Sequence, residues 1–199
     1  IRTMACIMFV PIMGYIVYSK EFYTLWQKSL SPGEIKMVTI LSTITVIQAF
    51  FNATTGTMAQ LSLVTNKLKL PVFVSFGCGL LNVFVIFVLL KVTNLGVYAV
   101  VLSSTVIMVV RYVFFNSAYA AYVLNKPVAE FIGTAVSVWL CLPVLLMLME
   151  VVKHFIPVDS WVSLVASDAV SALLGYLLMM LVYGRDKIRK IFRKVRGKE

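Results

Sequence analysis

The stretch from Gly96 to Asn125, GVYAVVLSSTVIMVVRYVFFNSAYAAYVLN, limits the folds open to this chain more than any other. It is long and apolar, with a single charge, Arg111, near its middle. About 20 apolar residues in a helix cross a hydrocarbon layer of roughly 30 Å, so the stretch reads as a membrane-spanning helix. An arginine at mid-depth costs roughly 2.5–3.5 kcal/mol on insertion scales. Arg111 is therefore expected to face protein or water rather than lipid.

The rest of the chain agrees. Of its 199 residues 61% are apolar and 13% charged, whereas soluble domains carry about 25% charged residues. With a mean hydropathy of +0.96 there are too few charges to clothe a soluble surface. The fold class expected is all-α, a polytopic bundle of transmembrane helices. Apolar runs and their punctuation give six spans, at about 3–18, 35–61, 71–92, 97–123, 131–152 and 160–184. These make one transmembrane unit, 1–184, followed by a basic tail, 185–199.

Local signals mark the joints. Ser31-Pro32-Gly33-Glu34 reads as a helix start, with a serine cap, proline in the first turn and glutamate three residues after the cap. The aromatics from Phe22 to Trp26 suit the headgroup level. Thr93–Gly96 reads as a tight turn, Pro143 as a kink, and Lys153 and His154 as loop residues at the interface. The cysteines, Cys6, Cys78 and Cys141, all lie in apolar runs without metal-ligand spacing and read as packing residues. No metal site or cofactor is expected.

Polar residues inside the spans carry the functional signal. On the second span Ser42, Thr45, Gln48, Asn52 and Thr55 recur at steps of three or four, placing them towards one helical face. Lipid penalises such a face, so it is read either as hydrogen-bonding glue between helices or as the lining of a wet cavity. Ser75, Gly79 and Asn82 on the third span, and Ser163, Ser167, Ser171 and Gly175 on the sixth, read as small-residue packing seams. Ser104 shares a face with Arg111. Asp168 is a second charge at membrane depth, and Arg111 either faces a cavity or pairs with it.

The net charge is +10, but Arg185–Glu199 alone holds eight of the eighteen Lys and Arg. That clustering marks a cytoplasmic flank, and no aromatic–basic interleaving points to a nucleic-acid partner. With the tail inside, twelve Lys and Arg fall on cytoplasmic segments and five outside, Lys20, Lys28, Lys36, Lys91 and Lys153. Both ends of the segment are thereby placed in the cytoplasm, in an inner membrane. Within the tail, Arg189, Lys190, Arg193 and Lys194 oppose an apolar face of Ile188, Ile191 and Phe192, an arrangement suited to lying on anionic lipid. A plain topogenic tail is the simpler reading.

Three pieces of sequence carry a resemblance. Asn66-Lys67-Leu68-Lys69 leads into a span with Gly79-Leu80-Leu81-Asn82. Lys91-Val92-Thr93-Asn94-Leu95-Gly96 opens a small-residue-rich span. Arg111 precedes Phe114-Phe115-Asn116-Ser117-Ala118-Tyr119-Ala120-Ala121. Together these resemble the C-terminal half of oligosaccharide-lipid flippases. Those are Wzx-like polysaccharide and lipopolysaccharide (O-antigen) biosynthesis proteins of the multidrug/oligosaccharidyl-lipid/polysaccharide exporter superfamily. The proline such proteins often carry near Asn116 or Ser117 is missing here.

The resemblance implies one lobe of a MATE-like two-lobe transporter, with an N-terminal lobe supplying the other cavity wall. It implies translocation of polyprenyl-pyrophosphate-linked oligosaccharide, with membrane lipids as further partners. Arg111 would then meet phosphate, while Gln48, Asn52, Thr45 and Ser104 line the cavity. Asp168 would couple an ion or pair with Arg111. Such a lobe is expected to be unstable alone. A cation-coupled multidrug exporter and a non-catalytic assembly subunit remain alternatives. An embedded enzyme is disfavoured, because the chain's eight acids are spread singly and it has one histidine.

Overall fold

A computed structural model describes residues 2–183. The basic tail, with Arg189, Lys190, Arg193 and Lys194, lies outside the described residues. Within them the chain is all-helical, without a strand. The helices are α1 (Arg2–Trp26), α2 (Pro32–Val64), α3 (Lys69–Val92), α4 (Val97–Val110), α5 (Asn116–Leu124), α6 (Val128–Trp139), α7 (Cys141–Phe155) and α8 (Trp161–Tyr183). A π-helical segment, Arg111–Phe115, joins α4 to α5 in one stretch. Five stretches are long and apolar enough to cross a membrane: Pro32–Val64, Lys69–Val92, Val97–Leu124, Val128–Phe155 and Trp161–Met180. With α1 they form a six-helix bundle.

Helix ends follow from local chemistry. Ser31 caps α2 in a full capping box: its hydroxyl accepts from the Glu34 N–H, and its own N–H donates to Glu34 Oε2 at 2.8 Å. Asn66 and Asn125 stop α2 and α5 in the left-handed conformation, at φ 54° and 51°. Gly96, at φ 53° and ψ −126°, opens α4 from backbone that a side chain would strain. The kink expected from Pro143 is present as a break at Leu140, one turn earlier, since Pro143 cannot donate to the Trp139 carbonyl and its ring crowds that turn. Lys153 and His154, expected in a loop, occupy the last turn of α7, where cations oppose the negative end of the helix dipole.

The core gathers around α1. Phe9, Val10, Met13, Val17 and Tyr18 pack with Phe50 of α2, Leu145 and Met149 of α7 and Met179 of α8. Phe9 and Phe50 stack with ring centroids 4.5 Å apart. Pro11, inside α1, cannot donate to the Ile7 carbonyl, and the Tyr176 hydroxyl of α8 donates to it instead at 3.0 Å. The α8 seam is filled as its spacing suggests. Ser167 and Ser171 are fully buried, and both hydroxyls bond Tyr18 Oη, at 2.7 and 2.8 Å. A Cβ on Gly175 would meet Val10 at 3.3 Å. Ser163 leaves that seam for the start of α8, where Ser160 caps it: Ser160 Oγ accepts from the Ser163 N–H at 3.2 Å, and Ser163 Oγ accepts from the Ser160 N–H at 2.9 Å.

Helix α3 stands apart. It buries no residue and packs chiefly on α4. Its expected seam is open at Gly79, where an added Cβ would meet nothing. Asn82 reaches across to α4, accepting from Ser103 at 2.8 Å and donating to Ser104 at 3.0 Å.

Candidate functional site

Helix α2 presents two unlike faces. One packs inward: Thr54, Thr55, Met58 and Ser62 are buried. Thr54 accepts from Trp139 Nε1 at 3.1 Å and Thr55 from Asn116 at 3.4 Å. The opposite face holds Thr45, Ala49, Asn52, Ala59 and Gln60, all exposed, with Gln48 half-buried beside them. The predicted polar line therefore divides. Thr45, Gln48 and Asn52 stay on the outward side, while Thr55 belongs to the packed side. Gln48 and Thr55 are seven residues apart, within about 20° of each other around the axis, so the division comes from what packs at each level of the helix, with Asn116 reaching Thr55.

Ser104, predicted beside Arg111, is occupied by Asn82 and serves the α3–α4 contact. Arg111 opens the π segment, whose defining bond runs from the Asn116 N–H to the Arg111 carbonyl. Its side chain lines a groove of about 350 Å³ between α3 and α4, with Val74, Cys78 and Leu81 on one wall and Val106, Val110 and Phe114 on the other. The guanidinium has weak company. Met108 Sδ lies 3.9 Å from one nitrogen, the Tyr112 ring centroid lies 5.9 Å away, and the buried Nε has no hydrogen-bond partner among the described residues. Neither Thr45, Gln48, Asn52 nor Ser104 lines this groove.

Asp168 lies elsewhere, between α1 and α8. It lines a groove of about 220 Å³ with Pro11, Gly14, Tyr15, Tyr18, Ser19 and Phe22. Its carboxylate sits against Gly14, where any Cβ would overlap Oδ1. The anticipated Arg111–Asp168 pair does not form: among the described residues neither takes part in an ion pair. The cross-helix ion pair is Lys153–Glu21, at 2.9 Å, and Lys153 also donates to the Val17 carbonyl at 2.7 Å.

Sequence reasoning passed over Tyr15, Tyr18, Ser19 and Gly14 around Asp168, and Asn82 as the partner of Ser103. Gly14, Tyr18 and Tyr15 sit within about a turn of Pro11 and Ser19, a polar and small-residue cluster inside an apolar run. That cluster was the available signal.

Several apolar helices whose outer surfaces are clad in Phe, Leu and Val define a multi-pass membrane protein of the α-helical class. Among curated proteins, the chain is similar to the "Uncharacterized membrane protein EpsK" of Bacillus subtilis (strain 168). Identity is 23% over 143 residues, which cover 66% of this chain and 27% of EpsK. The chain thus spans about a quarter of the length of that relative. No family model matches the chain, and no solved structure does.

Proposed function

We propose that this chain is one lobe of a flippase that carries polyprenyl-pyrophosphate-linked oligosaccharide across the cytoplasmic membrane, with both ends of the segment cytoplasmic. The observation that carries the reading is the outward face of α2. Thr45, Asn52 and Gln60 are exposed there beside small alanines, in a bundle whose other outer surfaces are large and apolar. The Thr45 hydroxyl donates to the Leu41 carbonyl of its own helix at 3.0 Å, but the amides of Asn52 and Gln60 would be costly against hydrocarbon, so this face belongs against water, sugar or a second lobe. Asn52 and Gln48 offer donors and acceptors to sugar hydroxyls. Arg111 offers a fixed fork of donors that suits a pyrophosphate. In this reading the chain transports and does no covalent chemistry.

The test is export of surface glycan by the complete native gene product in a strain lacking its own flippase. Asn52→Leu combined with Thr45→Val is expected to abolish export while membrane abundance stays unchanged. Phe84→Leu, on the exposed flank of α3, is expected to leave export intact. Export that survives the α2 double substitution would refute the reading.

A cation-coupled exporter of drug-like substrates is the second reading, and Asp168 favours it. This acid carries no hydrogen bond or ion pair among the described residues and shares its groove with Tyr15 and Tyr18. Asp168→Asn would then abolish cation-dependent drug resistance and leave glycan export untouched.

A further inference from the structure

The side of α3 turned away from α4 is not a plain lipid surface. Val74, Cys78 and Leu81, which line the Arg111 groove, lie on the other side of the helix. Counting on from Lys69, Phe76, Leu80 and Val83 follow at seven, eleven and fourteen residues, so one side of α3 carries all four. All four are exposed. Beside them is a hollow of about 630 Å³, which Val72, Ser75 and Gly79 complete. Gly79 creates it, since a Cβ there would meet nothing. The Ser75 hydroxyl donates to the Pro71 carbonyl at 2.7 Å, so the hollow offers apolar contact. At about 1.5 Å per residue it runs from roughly 5 to 20 Å along the axis below Lys69. That reach is close to one leaflet's share of a hydrocarbon core of about 30 Å.

Above the hollow the chain is basic. Residues 62–71 hold Lys67 and Lys69 and no acid. Both lysines are exposed, and among the described residues neither takes part in an ion pair, whereas Lys126 holds Glu130 and Lys153 holds Glu21. The loop that carries them is fixed by its backbone. Asn66 turns it at φ 54°, the Lys67 N–H donates to the Ser62 carbonyl at 3.0 Å, and Tyr119 Oη donates to the Lys67 carbonyl at 2.6 Å. The Lys67 ammonium lies over the exposed ring of Tyr122, 5.4 Å from its centroid. A fixed loop thus presents two cations at the head of an apolar hollow.

We propose that this surface binds an anionic glycerophospholipid, its headgroup on Lys67 and Lys69 and one acyl chain in the α3 hollow. Charge complementarity selects the headgroup: lysines at the membrane surface favour anionic lipid. A zwitterionic choline lipid would bring its own ammonium against them. Charge also argues against a second copy of the chain in the same hollow. Copies in one membrane share an orientation, so two α3 helices meeting there would set Lys69 against Lys69. The lipid gives α3, which buries no residue, a partner along its open side. The site does not rest on the translocation reading.

The test uses the complete native gene product in phosphatidylcholine nanodiscs, with a trace of phosphatidylglycerol or phosphatidylcholine carrying a diazirine on one acyl chain. Peptide mapping is expected to find the phosphatidylglycerol probe on residues 72–83 well above the phosphatidylcholine probe. Replacing Lys67→Gln or Lys69→Gln is expected to cut that excess roughly fivefold each, and the pair to erase it. Lys67→Arg with Lys69→Arg is expected to keep it. Gly79→Phe fills the hollow, keeps both cations and meets no neighbour, and is expected to lower the yield to that of the choline probe.

Equal yields from the two probes would overturn the proposal, because ordinary boundary lipid gives that result. So would an excess indifferent to both the lysine pair and Gly79→Phe, or disulfides between copies through cysteine placed at Gly79. Because binding is read without export, this site and the translocation reading fail separately: export lost in the α2 double substitution leaves the lipid excess in place.

Discussion

Helices α1 and α3 look alike in the sequence and behave oppositely in the bundle. The third is the most apolar of the five candidate spans, yet none of its residues is buried. The first carries Pro11, Gly14, Tyr18 and Ser19 among its apolar residues, and it is the hub of the core. In water the more apolar helix would go inside. In a bilayer the lipid tails are as apolar as leucine, so apolarity alone draws nothing inward. What draws α1 inward is fit and polar satisfaction: a glycine that admits Asp168, a tyrosine that bonds two buried serines, and a freed carbonyl met by Tyr176.

The contrast can be broken by paired substitutions read as unfolding free energy in detergent. Phe9→Ala in the core should cost the most, on the order of 3–5 kcal/mol, because it opens a cavity where Phe50 now stacks. Phe84→Ala on the open side of α3 should cost under about 0.5 kcal/mol, as an exposed site does. Equal losses would mean that α3 has a partner it does not show. Next comes glycine. Gly14→Ala should cost about 1–3 kcal/mol by driving a methyl into the Asp168 carboxylate. Gly79→Ala, which meets open space, should be neutral or slightly stabilising through helix propensity.

Smaller effects sharpen the same distinction. Tyr176→Phe removes the donor to the Ile7 carbonyl and Asn82→Leu unhooks α3 from Ser103 and Ser104. Each should cost about 0.6 kcal/mol, the average for hydrogen bonds between membrane helices. Their consequences should differ in kind. Tyr176→Phe should loosen the α1–α8 contact, visible as faster hydrogen exchange near Ile7. Asn82→Leu should leave the core unchanged and lower disulfide crosslinking between cysteines introduced at Val85 and Ala99.

Much of the architecture was legible because its causes are local. Apolar run length gave the helices, and Ser31 with Glu34 announced a cap that forms in full. The spacing of Ser167, Ser171 and Gly175 marked a seam that α1 fills. Partner choice was not legible. Gly14 and Asp168 lie at opposite ends of the chain, and nothing in either neighbourhood names the other. Gly79 shared the signature of a packing glycine and packs against nothing. The split of the α2 polar line was hidden because it follows from which neighbour reaches each level of the helix, as Asn116 reaches Thr55, and spacing within one helix does not show that. On the candidate site, Arg111 was visible as an expense in lipid, but its groove, built by two helices, was not.

The π segment has one more consequence. An α-helix keeps a fixed angular phase: residues about 100° apart in sequence order return to the same side after a set count. The five residues from Arg111 to Phe115 insert a slip in that phase. Before the slip, Ser103 faces Asn82; after it, Asn116 and Tyr119 face α2 and the Lys67 carbonyl. One span thus addresses two neighbours, and the slip adjusts the angle between the two sets of residues. Deleting a single residue between Arg111 and Phe115 would reset the phase. The span would remain as apolar and nearly as long, while Asn116 and Tyr119 would turn by about 100° relative to Ser103.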